Sequence, residues 1–129
     1  MSAYAGLAES WAADAALVYA PLARHLLDSG PAPVAGRSAL DAGAGAGLAG
    51  DLLRARGARV VALDREFDMA AYGARPAVVG DVTALPFRPA SFDLAVAAFV
   101  VNHLSDPVAG LAELRRGTRP GGTLPASTF

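Results

Sequence analysis

Apolar and polar positions change their spacing near residue 37. Before it, Trp11, Ala16, Leu17, Ala20 and Arg24 recur at three- and four-residue intervals, the period of a helix face, and Gly30 with Pro31 stops the run. That pattern predicts two short helices or one broken helix over residues 2–29. Residues 31–36, rich in Pro, Ala and Gly, read as a connector. From Arg37 onward short apolar runs alternate with amphipathic ones, the rhythm of successive βα units laid into a parallel sheet. Strands are predicted at 39–42, 59–63, 77–79 and 92–97, and helices at 48–56, 67–72 and 107–115. Residues 83–91, with Pro86 and Pro89, read as loop. A fifth strand is expected after Pro120, Gly121 and Gly122, within 123–129, where Pro125 cannot donate to a ladder and marks an edge strand or a failed one. Gly117, just before it, either weakens the helix packing or stops the helix.

A length of 129 residues suits one compact domain. With 53% hydrophobic and 18% charged residues, the chain fits helices packed on a mostly buried sheet rather than a disordered segment. The net charge is -1 with acids and bases interleaved, so no basic block exists to neutralise a phosphate backbone, and nucleic acid is not expected as a partner. All 11 cationic side chains are Arg, which excludes chemistry that needs an amine side chain. Cysteine is absent, which removes disulfides, thiolate metal sites and cysteine nucleophiles; no metal centre is expected. No basic segment followed by an apolar run opens the chain, and no stretch of about 18 apolar residues occurs. A soluble, cytoplasmic protein without a membrane span is the expectation.

The segment Asp41-Ala42-Gly43-Ala44-Gly45-Ala46-Gly47 follows a predicted strand and opens a predicted helix. Glycines at alternate positions let the backbone turn sharply and approach a ligand, and the free N–H groups at the helix start favour a carboxylate or other negative group. Alone, such a string is also what a tight structural turn looks like. Asp64 narrows the reading: it closes the next predicted strand, at close to the roughly 20-residue offset from which an acid can accept ribose hydroxyls. The spacing is Gly-x-Gly-x-Gly rather than Gly-x-Gly-x-x-Gly, and no Lys exists for a Tyr-x-x-x-Lys pair, which argues against a nicotinamide-dependent oxidoreductase. The absence of Gly-Lys-Ser/Thr argues against a nucleoside triphosphatase.

Asp41 to Gly47 resembles motif I of the class I S-adenosylmethionine (SAM)-dependent methyltransferases, and Asp64 resembles the acid that closes their second strand. The likeness continues through Gly80-Asp81-Val82 with Leu85-Pro86-Phe87, through Phe92-Asp93-Leu94-Ala95-Val96, and through Asn102-His103-Leu104, Leu111 to Arg116 and Arg119-Pro120-Gly121-Gly122. It runs in register from about Leu40 to Leu124 and is nearest in flavour to the quinone-biosynthesis methyltransferases. The resemblance implies an α/β fold, a Rossmann-like three-layer sandwich with a mostly parallel five-strand sheet in the order 3-2-1-4-5. Residues 1–36 are expected to form a helical cap and connector, and 37–129 the SAM-binding core of the same structural domain. The chain is expected to stop inside strand five and to lack the family's final two strands.

By the same resemblance, Gly43, Gly45 and Gly47 admit the methionine end of SAM, Asp41 orients that loop or accepts from the ammonium, and Asp64 holds the ribose. Asp81 and Val82 frame the adenine. The alternative for Asp41 and Asp64 is a helix cap, and for Asp81 a turn former. Phe99, Val100 and Val101 form the wall facing the sulfonium or are core. His103 is either a general base toward the acceptor or a cap for the helix starting near Asp106. Tyr4, Trp11 and Tyr19 pack the N-terminal helix, or one of the tyrosines touches SAM. The implied activity is methyl transfer from SAM to a small-molecule acceptor, and the alternative is a non-enzymatic SAM-binding or interaction module. For a methyltransferase truncated in this way, homodimerisation through the open strand-five edge or an exposed apolar helix face is expected.

Overall fold

The computed structural model describes residues 8–30, 33–45, 47–66 and 76–127, and for 8–16 and 18 the backbone alone. The predicted helix at 67–72 and the position of Tyr4 lie outside those residues, as does the side chain of Trp11. Helix α1 (Ala8–Asp28) leads to β1 (Ser38–Ala42), α2 (Leu48–Ala55), β2 (Arg59–Asp64), β3 (Ala77–Val79) and β4 (Phe92–Ala98). A short 3-10 turn (Val101–His103), α3 (Pro107–Gly117), β5 (Thr118–Thr123) and β6 (Ala126–Ser127) follow.

The sheet order is β3-β2-β1-β4-β5, every pairing is parallel, and β6 continues along β4 beyond the end of β5. Alternation along the strands sorts the core onto two faces. Leu40, Ala42, Leu63, Ala95 and Ala97 turn to one face, where they cluster with Leu114 of α3 and with Phe92 at the start of β4. Ala39, Val60, Leu94 and Val96 turn to the other, under Leu53 of α2 and Leu27 of α1. Both faces being covered explains why Leu94 to Ala98 of β4 read as an unbroken apolar run. The fold is the Rossmann-like three-layer arrangement. No helix among the described residues is long and apolar enough to cross a membrane.

Two local expectations are corrected. The N-terminal segment is one helix, continuous through Pro21. A proline removes one helical donor, but here the carbonyl it leaves belongs to exposed Leu17, where water can serve it. The fifth strand starts at Thr118, before the Pro-Gly-Gly run rather than after it. Thr118 pairs with Phe92 and Thr123 with Leu94, so β5 bulges across five steps against two on β4. Arg119 anchors the bulge by donating to Asp93 Oδ1 at 2.9 Å. Pro125 behaves as its chemistry requires: its carbonyl accepts from the Ala97 N–H at 3.0 Å, and the strand is interrupted there before resuming as β6.

Gly122 is the tightest point of the bulge. A Cβ there would run into the carbonyl oxygen of Asp93 and lie 2.8 Å from that of Arg119. Gly122→Ala should therefore destabilise the fold by about 1–3 kcal/mol, read as a lower urea midpoint with an unchanged slope.

Candidate functional site

Because all strands run parallel, their carboxyl ends share one edge of the sheet, and the chain reverses its direction of travel across the sheet between β1 and β4. Loops leaving β1 and β4 must part there, which opens a crevice. A cleft of about 170 Å³ occupies that place. It is lined from β1 by Asp41, Gly43 and Gly45, from β2 by Asp64 and Glu66, from β3 by Asp81 and Val82, and from β4 by Phe99, Val100 and His103. Tyr19 and Ala23 of α1 and Leu48 of α2 complete the walls.

The bend after β1 is built by its glycines, with φ of 65° at Gly43, 57° at Gly45 and 96° at Gly47. At Gly43 the space is also closed, since a Cβ would strike the Val100 side chain. Asp64 fastens the bend: its Oδ2 accepts from the Gly45 N–H at 2.9 Å and its Oδ1 from the Glu66 N–H at 2.9 Å. The carboxylate thus points at the glycine bend and stands on the cleft.

Asp41 is buried beneath it, and its Oδ2 accepts from the Gly50 N–H at 2.9 Å. Gly47 is the N-cap of α2 and offers no side chain, so Asp41 serves an orphan donor of the first turn from the neighbouring strand. Capping and cleft lining therefore coexist in this residue. Burial pushes its carboxyl up to about 7, against the lowering effects of the Gly50 bond and the Arg54 charge.

Asp81 forms a turn, with Oδ1 accepting from the Thr83 N–H at 2.8 Å and hydroxyl at 2.7 Å, and these bonds hold its carboxyl below the usual range. Val82 is buried in the core and also faces the cleft. Gly47 sits at the helix start but does not line the cleft. His103 is exposed on the 3-10 turn and lines the cleft; the cap of α3 is Asp106, whose Oδ1 accepts from the Ala109 N–H at 3.0 Å. Of the apolar run after β4, Phe99 and Val100 line the cleft, whereas Val101 packs on the core. Tyr19 reaches Phe99 with ring centroids 5.2 Å apart. Glu66 and Leu48 were not singled out by sequence; an acid two places after Asp64 was the available signal for the first, and nothing marked the second.

The model of a family described as a methyltransferase domain matches residues 40–125. The demethylmenaquinone methyltransferase of Renibacterium salmoninarum is 36% identical over 111 residues, covering 82% of this chain and 47% of the relative. The malonyl-[acyl-carrier protein] O-methyltransferase of Serratia marcescens is 39% identical over 133 residues, covering 99% of this chain and 51% of the relative. The chain spans about half the length of the curated relatives it matches. A chain in the complex between the Haloferax volcanii Trm112 methyltransferase activator and a methyltransferase superposes with a TM-score of 0.78 at 30% identity, over 91% of this chain and 57% of that one.

The raised Asp41 value gives a stability signature. The folded chain keeps a proton that the unfolded chain releases near 4, so the contribution is fully present below that pH and is lost as pH rises through about 7. Its upper bound is about 4 kcal/mol. Asp41→Asn keeps an acceptor for the Gly50 N–H, so its melting temperature should vary less between pH 5 and 8 than that of the wild type and exceed it at pH 8.

Proposed function

The chain belongs to the methyltransferase domain family, and from that premise we propose that it binds S-adenosylmethionine in the cleft and that the whole protein transfers the cofactor's methyl group to a small-molecule acceptor. The bond from the Gly45 N–H to Asp64 Oδ2, at 2.9 Å, carries this reading, because it sets a carboxylate against a glycine-lined bend. The residues present fit the cofactor. Each Asp64 oxygen accepts one backbone N–H and keeps a second lone pair, enough to receive neighbouring ribose hydroxyls. Asp81 offers a carboxylate to the adenine amino group, and Val82 an apolar face to the ring. Gly43 and Gly45 let the backbone approach the methionine end, with Gly47 turning the chain into α2 behind them and Asp41 toward the ammonium. Phe99 and Val100, with Tyr19 beside them, make a wall suited to a cationic centre.

When bound, the cofactor supplies an electrophilic methyl carbon. The protein's own part is to hold the acceptor in line and take up its proton where the nucleophile is weak. His103 is the proton acceptor in this reading, supported by its exposed position on the cleft. A net charge of -1 favours a small-molecule acceptor over nucleic acid. The outer edge of β5 has no neighbouring strand among the described residues, which supports a homodimer contact at that edge as part of this proposal.

Isothermal calorimetry with S-adenosylhomocysteine tests the cofactor assignment. Binding should weaken by more than about thirtyfold in Asp64→Ala. Asp64→Asn retains an acceptor for the Gly45 N–H, so a loss there too separates ligand contact from loop order; affinity indifferent to both changes would refute the site. Sedimentation at micromolar concentration should show a dimer, and a stable monomer would count against the β5 contact.

A further inference from the structure

Phe99 stands where three parts of the chain meet. It directly follows β4, and its φ is 58°, a left-handed backbone that costs a bulky residue about 1–3 kcal/mol. Such a conformation persists only where its surroundings hold it. Here two acceptors on one residue do so: the Phe99 N–H donates to the Ser127 carbonyl oxygen at 3.1 Å and to Ser127 Oγ at 3.0 Å. The Phe99 ring then leans on the Tyr19 ring of α1, 5.2 Å away and tilted by 56°. Both rings line the cleft, and Ser127 does not.

We propose that Ser127 is a positioning residue for the cofactor cleft: its two oxygens hold Phe99 in the left-handed conformation that brings its ring against Tyr19, and so fasten α1 as a wall of the cleft. The inference rests on reading that cleft as the SAM site. Elsewhere α1 is attached through Ala23, which is buried, and through Leu27, which packs with Ala49 and Leu53 of α2. Leu27 shares its cluster with Leu94 and Val96 of β4 as well, and the Tyr19–Phe99 pair joins the helix to the cleft end of that strand. If Phe99 relaxed to a negative φ, its Cα–Cβ bond would swing to a new direction and the ring would leave Tyr19. An element of the sheet's far edge thereby sets how the opposite wall of the cleft is held.

A double-mutant cycle tests this with S-adenosylhomocysteine as the probe. Glycine adopts a positive φ without penalty, so Phe99→Gly removes the ring while sparing the backbone, and affinity should fall about three- to tenfold without a drop in melting temperature of matching size. Ser127→Ala should weaken binding about threefold, and Ser127→Thr should restore it. In the Phe99→Gly background Ser127→Ala should cost nothing more, because both changes break one linkage. Additive losses in the double variant, or an unchanged affinity in folded Ser127→Ala, would overturn the proposal. If the wild type binds no S-adenosylhomocysteine, the cofactor reading fails by itself. The linkage is still tested then by amide exchange in ligand-free protein: exchange around Tyr19 should quicken in Ser127→Ala and Phe99→Gly, and unchanged rates would overturn it.

Discussion

The joint between β1 and β2 governs this molecule. Their ladder pairs Asp41 with Ala62 and Ala42 with Leu63, so the two strands end almost level. Past that end the Ala44 N–H still finds the Leu63 carbonyl at 2.9 Å, and the next ladder step is made by a side chain, with the Gly45 N–H donating to Asp64 Oδ2. A backbone ladder thus passes into a charge-assisted bond without a gap. The glycine bend is held open in a defined shape, and the carboxylate that holds it is left on the cleft side.

Asp41 shows how closely fold and site are joined. A buried carboxyl is costly unless it is bonded or protonated, and this one has both remedies: a bond from Gly50 and a pKa raised toward neutrality. It replaces the cap that Gly47 cannot provide, which frees that position for a left-handed turn. One residue thereby relieves a conflict between capping a helix and turning the chain through a left-handed residue at its start.

On the other side of the sheet, a charged clamp steadies the loop after β3. Arg116 donates to Glu113 Oε2, and to the carbonyls of Phe87 at 2.9 Å and Leu85 at 3.2 Å, while Glu113 Oε1 accepts from the Leu85 N–H at 2.8 Å. The Arg116 bond holds the Glu113 carboxyl below its usual range. The segment bearing Asp81 and Val82 is therefore tied at its far end to α3, and through α3 to the core around Leu114.

The strands, the glycine bend and Asp64 were legible in the sequence, because apolar alternation and glycine spacing are local consequences of backbone sterics, whereas the strand order was implied by the resemblance to the methyltransferase family. The limits of β1 to β4 were legible too, to within a residue at each end, since each strand is bounded by residues that end a ladder. The start of β5 was not legible: Thr118-Arg119-Pro120 has no strand pattern, and it becomes a strand because Arg119 finds Asp93 and Thr118 finds Phe92 across the sheet. The cap was among the readings for Asp41, but spacing could not show that it coexists with a place on the cleft, that Phe99 takes a left-handed backbone, or that Ser127 holds it there. Each of these depends on groups distant in sequence meeting at a few ångströms, and only the packed chain decides which donors and acceptors meet.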